Sequence, residues 1–112
     1  MTGGFDLASK SCQPCEGGTG ALGQPEIADL LTQLDGWEHN GAVIAKSYRF
    51  KDHYQAMAFV NAVAWVSHRE NHHPDINLGY NQCRVKYTTH ALAGLSENDF
   101  ICAAKIDTLF RL

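Results

Sequence analysis

Apolar positions along the chain follow two periods that alternate. After Pro25 and Glu26, Ile27, Leu30, Leu31 and Leu34 recur at helical spacing, which predicts a short helix over residues 25–34. Asp35-Gly36 stops it, and WEHNGAVIAKSYRF (37–50) reads as two strands hinged at Asn40-Gly41. In the second of these strands Ile44, Lys46, Tyr48 and Phe50 do not alternate cleanly with Val43, Ala45, Ser47 and Arg49. That strand is expected to be covered in part on both faces. Asp52 and Gln55 form a D-x-x-Q capping box opening a long helix to about Arg69. Its dense apolar residues Met57, Ala58, Val60, Ala64 and Trp65 predict a central helix packed on a sheet. Pro74 cannot continue a helix and pushes His73 toward extended backbone. Ile76, Leu78 and Tyr80 then alternate, as do Cys83, Val85, Tyr87 and Thr89, with a turn near Asn81-Gln82. Ser96 and Asp99 make a second capping box before FICAAKIDTLF, a final helix with Ile101, Ala104 and Phe110 as core candidates.

The order helix, hairpin, helix, hairpin, helix predicts an α+β fold: a four-stranded antiparallel sheet of two hairpins with about three helices packed on one face. Residues 1–24 have the composition of a flexible leader, which leaves 25–112 as the domain.

Composition narrows the function classes. A chain of 112 residues, 45% hydrophobic and 19% charged, builds one modest core, and so short a domain gains from self-association. The net charge of −3 and the lack of a Lys/Arg block argue against nucleic acid or an anionic membrane as partner. No apolar run approaches the roughly 18 residues of a spanning helix. The N-terminus lacks the pattern of a secretory signal, so the cytoplasm is the expected compartment. Of the four cysteines, Cys12 and Cys15 form a C-x-x-C in Gly/Ser/Pro-rich sequence. With no second C-x-x-C to complete a zinc site, two incidental thiols are the favoured reading.

The chemistry concentrates in HRENHHPDI (68–76), which carries three of the six histidines. His68 and His72 have the i, i+4 spacing of a helical metal pair, with His90 available as a third ligand, but Glu70 is misplaced for an H-E-x-x-H site. A turn near 81–82 makes residue 73 roughly oppose residue 90. His72, His73 and His90 are therefore expected to converge at the open end of the second hairpin, lining a polar pocket. Imidazole exchanges protons near neutrality, and such a cluster suits a dehydration, in which one proton is delivered and another removed without metal or organic cofactor. Each feature also has a plain structural account: a satisfied polar histidine, a helix-capping acid at Asp99, a core indole at Trp37, strand-forming threonines at 88 and 89. On the residues alone, catalysis and scaffold remain open.

HHP at 72–74, Tyr80, TTH at 88–90 and GLSENDF at 94–100, with LDGW at 34–37 and YRFKDHYQAMAFVNAVA at 48–64, together resemble the pterin-4a-carbinolamine dehydratases. The likeness spans about residues 26–110. It implies conversion of a 4a-hydroxytetrahydropterin to quinonoid dihydropterin and water, recycling the pterin of aromatic amino acid hydroxylases. It assigns His72, His73, His90 and Asp99 to catalysis, and Asn71 to His73, Thr88 to Ala91 (Thr88, Thr89, His90, Ala91) and Trp37 to the pterin. It implies no metal and no cofactor, a homo-dimer or homo-tetramer, and functional coupling to a hydroxylase. Two departures stand out: His68 occupies a position that is often acidic in the family, and the aromatic after the proline is replaced within PDINLGY. Competing readings are a non-catalytic, coactivator-like dimerising module and a metal site on His68, His72 and His90.

Overall fold

A computed structural model of the chain describes residues 7–13 and 20–110. Its regular elements are α1 (Gln24–Leu31), β1 (Glu38–Asn40), β2 (Val43–Arg49), α2 (His53–Glu70), β3 (Asp75–Leu78), β4 (Gln82–Tyr87) and α3 (Glu97–Phe110). The strands form one antiparallel sheet in the order β1-β2-β4-β3, so the two hairpins meet through the central β2–β4 pair. This is the α+β architecture expected from the sequence.

One sheet face carries Ile44 and Tyr48 of β2 and Cys83, Val85 and Tyr87 of β4, all at most 1% exposed and all in the core cluster with α2 and α3. Lys46 lies in the same row, which accounts for the imperfect alternation of β2. Its ammonium is neutralised there by Asp107 of α3 at 3.0 Å and also donates to the Asp35 carbonyl at 2.6 Å. Asp107 further accepts from Tyr48 Oη and from Trp37 Nε1 at 3.1 Å. Burying a phenol and an indole N–H and partly burying a lysine is tolerable because one carboxylate satisfies all three.

Two registers differ from the expected ones by small steps. In the first hairpin Asn40 pairs with Val43, so the two-residue loop is Gly41-Ala42, with Gly41 at φ 62°, a conformation that favours glycine. In the second, Asp75 pairs with Lys86 and Leu78 with Cys83. Extending that register sets residue 72 across from 89 and residue 73 across from 88, two positions short of the expected pairing with 90. The turn falls at Gly79–Asn81 rather than 81–82, where Gly79 N–H donates to the Gln82 carbonyl at 2.7 Å.

The α2 cap forms as its spacing demands, with Gln55 N–H donating to Asp52 Oδ1 at 2.9 Å, while the Gln55 side chain reaches back to Lys51 N–H at 3.0 Å. The buried face of α2 is Ala56, Phe59, Val63, Val66 and Ser67. Met57 and Trp65, expected in the core, are 39% and 62% exposed on the other side. Both stripes obey helical periodicity, and Phe59 fixes the rotation by packing against Tyr48 and Phe50, with ring centroids 4.6 and 5.1 Å away. In α3, Ile101 is buried and Ala104 partly so, while the Phe110 side chain is outside the described residues.

The stretch expected to be a flexible leader contains an ordered strap. Residues 7–13 dock against α3, with Leu7 3% exposed in the core and the Ala8 carbonyl accepting from Lys105 Nζ at 2.8 Å. Residues 1–6 and 14–19, including Cys15 of the C-x-x-C, lie outside the described residues. Downstream, the chain before α1 passes close to Gly94: Leu22 N–H donates to the Leu95 carbonyl at 2.8 Å, and a Cβ on Gly94 would stand 2.7 Å from the Ala21 Cβ. Gly94→Ala is therefore expected to destabilise the domain by about 1–3 kcal/mol through overpacking. A urea midpoint unchanged from the parent protein would contradict that contact.

Candidate functional site: a histidine cavity at the mouth of the second hairpin

The end of α2 sets the site's geometry. Asn71 turns the chain in the left-handed conformation (φ 55°, ψ 42°), with Asn71 N–H donating to the His68 carbonyl and His72 N–H to the Ser67 carbonyl. Asparagine tolerates that conformation better than most side chains. Pro74 then holds the chain extended into β3, so His72 and His73 leave the helix direction and lie along a strand lead-in. Across from them β4 runs out through Thr88 and Thr89 into a tight loop, His90–Ala93, closed by paired backbone hydrogen bonds between Thr89 and Gly94.

A cavity of about 550 Å³ opens between these segments. Asn71, His72, His73, Thr88, Thr89, His90 and Ala91 all line it. Asp99 sits behind that wall, fully buried at 0% exposed, and organises it. Its Oδ1 lies 2.6 Å from His72 Nε2, and its Oδ2 accepts from Thr89 Oγ1 at 2.8 Å and from Ser96 N–H at 2.9 Å. Asp99 thus performs half of the capping box expected from spacing, while the Ser96 hydroxyl turns to Thr89 Oγ1 at 2.8 Å. A carboxylate only accepts, so the His72 proton shared with it sits on Nε2. Among the described residues Nδ1 makes no hydrogen bond, and it is the ring nitrogen left for other chemistry.

The ring is fixed further by stacking on Tyr87, with centroids 5.5 Å apart and planes 7° from parallel. Burial by itself would push the His72 pKa down, but the hydrogen bond and charge of Asp99 outweigh it and hold the imidazole above its ordinary value. His73 and His90, by contrast, are solvent-exposed on the cavity rim.

Two expectations are placed differently. Trp37 is not among the cavity's lining residues; it is buried on Asp107, where its N–H finds the partner that a buried indole needs. His68 and His72 do not share a helical face, because α2 ends at Glu70, and His68 is exposed. Among the described residues no group of three or more His, Cys, Asp or Glu side chains is arranged to hold a metal ion.

The cavity also has a wall with no counterpart in the sequence reading: Cys12 and Gln13 of the strap, Glu70 and Asn98. Asn98 clasps the strap from both sides, its Oδ1 accepting from Gln13 N–H at 3.0 Å and its Nδ2 donating to the Gln13 carbonyl at 2.6 Å. Glu70 Oε1 accepts from Cys12 N–H at 2.9 Å. Only long-range contacts bring these residues together, and local spacing carries no trace of them.

The family model described as pterin 4 alpha carbinolamine dehydratase matches residues 20–109. A Nitrosospira multiformis protein is 66% identical over 107 residues, covering 96% of this chain and 95% of its own. One from Dechloromonas aromatica is 54% identical over 112 residues, covering 100% of both chains. Both carry provisional names as pterin-4-alpha-carbinolamine dehydratases. A crystal structure of a Brucella melitensis protein described as a transcriptional coactivator/pterin dehydratase superposes with a TM-score of 0.77 at 31% identity, covering 80% of this chain and 97% of that one. A pterin dehydratase-like protein described as a RuBisCO assembly factor of the alpha-carboxysome gives a TM-score of 0.56 at 25% identity, covering 66% and 86%. The chain belongs to the pterin-4a-carbinolamine dehydratase family. No helix among the described residues is long and apolar enough to cross a membrane.

Proposed function

We propose that this protein is a 4a-hydroxytetrahydropterin dehydratase, a hydro-lyase that releases water from pterin-4a-carbinolamine to give quinonoid dihydropterin. The observation that carries the reading is the His72–Asp99 pair at 2.6 Å, facing a cavity rimmed by His73 and His90. In the reaction the C4a–O bond breaks, the N5 lone pair closes the C4a=N5 bond, and the N5 proton is lost. His72 is the acid. Asp99 stabilises its imidazolium, and Nδ1–H delivers a proton to the departing hydroxyl so that it leaves as water. His90, exposed at the rim, takes the N5 proton, so proton delivery and removal balance within the cavity. His73 and the backbone of Asn71 and Thr88–Ala91 hold the pterin's polar edge. All of these steps use the chain's own side chains.

In this reading the physiological role is recycling of the pterin cofactor of an aromatic amino acid hydroxylase, in the cytoplasm. Among the described residues β1 and β3 are the edge strands of the sheet, and such edges suit association of copies into a dimer or tetramer. Calorimetric titration with 7,8-dihydrobiopterin, a reduced pterin lacking the leaving hydroxyl, tests the binding half. Saturable binding is expected with Kd within about 1 μM to 1 mM, weakened about tenfold in His73→Ala. Absence of binding at millimolar pterin, or equal affinity in the variant, would count against it.

A further inference from the structure

The strap and α3 bring together two cysteines that are 90 positions apart in sequence. Cys12 Sγ lies 3.5 Å from Cys102 Sγ, beside the cavity to which Cys12 contributes. Neither thiol is used in the dehydration. Their approach is not incidental to a loose tail, because the strap is fixed on both sides of Cys12. Leu7 is buried in the core, the Ala8 carbonyl is held by Lys105, and Gln13 is clasped by Asn98. Cys12 itself is anchored through its N–H to the Glu70 carboxylate.

We propose that Cys12 and Cys102 are a redox-active dithiol, oxidised by peroxide to a disulfide that staples the N-terminal strap across the cavity wall. A disulfide S–S bond is about 2.05 Å long, so the sulfurs need to approach by only about 1.5 Å from their present separation. Within the pair the proton stays on Cys12, whose pKa is pushed up by the hydrogen bond to Cys102 and by burial, and ionisation falls to Cys102. The Cys12 S–H hydrogen bond lowers the Cys102 pKa against the effect of burial, and the neighbouring His72 charge adds to that. A thiolate of the pair attacks one oxygen of hydrogen peroxide, breaking the O–O bond and leaving a sulfenic acid and hydroxide. The second sulfur displaces hydroxide from the sulfenic sulfur and forms the S–S bond. The two thiol protons combine with the two hydroxides, so two thiols and one peroxide give one disulfide and two waters.

The link goes beyond dehydration, and its chemistry does not depend on the pterin reading. It involves a segment preceding the matched family domain, which starts at residue 20. It fixes the stretch of cavity wall made by Cys12 and Gln13.

The full chain, reduced and then exposed to a modest excess of hydrogen peroxide, tests this. The intact mass is expected to fall by two hydrogens, and peptide mapping without reductant should join Cys12 to Cys102. The linked form should unfold at least about 5 °C higher, as expected for closing so long a loop. It should also be cut by trypsin after Lys10 at least about fivefold more slowly, since the strap must undock to be cut. Reduction with dithiothreitol should reverse both effects. Cys12→Ser, which changes the less buried partner, should abolish the link and the protection, and Cys15→Ser should retain them. Thiols left intact under peroxide, a Cys12–Cys15 link, or loss of protection in Cys15→Ser would each overturn the proposal.

Discussion

Replacing His72 and His90 together by alanine is expected to bring dehydration down to near the spontaneous rate while leaving the fold intact. General acid and general base each contribute about 10²–10⁴-fold when correctly placed, so losing both at once removes most of the acceleration. The single variants should each be impaired, and by less than independent effects would multiply to, because one concerted proton exchange is disabled in either case. His90 is exposed and His72 sits at the cavity wall rather than in the core, so neither truncation opens a large void. Circular dichroism and the urea midpoint check that the double variant is folded. Full activity in a folded double variant would remove both residues from the mechanism.

The second large effect concerns Asp99. In Asp99→Asn the side-chain oxygen is expected to stay with the Ser96 and Thr89 donors, because both need an acceptor. The amide N–H₂ then faces His72 Nε2, which must accept instead of donate. That reversal moves the neutral ring's proton to Nδ1 and removes the charge that raises the His72 pKa. The imidazolium required as acid then titrates away at lower pH. The alkaline limb of the rate profile should move down by about one pH unit or more, costing about tenfold in rate at a pH on that limb. Stability should fall by about 1–3 kcal/mol as the buried cap and pair weaken.

The pH dependence of stability follows the same group. A histidine whose folded pKa lies above its unfolded value of about 6.5 stabilises fully below that pH, and the contribution fades as pH rises through the raised value. Asp99→Asn should abolish this component, leaving a flatter stability profile from about pH 6.5 upward. Parallel pH profiles for the parent and the variant would show that Asp99 is only a helix cap.

Local chemistry explains why much of the cavity's lining was legible in the chain. Pro74 enforces the exit from α2, the Ser96–Asp99 spacing places a carboxylate at the start of α3, and alternation in β3 and β4 brings residues 72 and 89 level. The pairing of Asp99 with His72 needed the third dimension, because a cap acid looks the same whether or not its second oxygen is engaged. The rotation of α2 was not legible for a different reason. Two apolar stripes satisfy the same period, and only the aromatic packing of Phe59 on β2 chooses between them. Trp37 was assigned to the pterin by resemblance alone, and the partner that defines its place, Asp107, lies 70 positions away. The strap is the clearest case. Its residues have little periodic hydrophobicity, and what orders them is a set of single contacts to Glu70, Asn98 and Lys105 that no local rule anticipates.

If the cavity holding the His72–Asp99 pair dehydrates a pterin-4a-carbinolamine, the protein must speed the loss of that species. Stopped-flow absorbance of freshly generated 4a-hydroxytetrahydropterin, with and without the purified protein, measures that loss. Loss of the carbinolamine signal is expected at least about a thousandfold faster than the spontaneous reaction at saturating protein, with the His72→Ala/His90→Ala protein near the spontaneous rate. A folded parent protein that leaves the spontaneous rate unchanged would contradict the dehydratase reading.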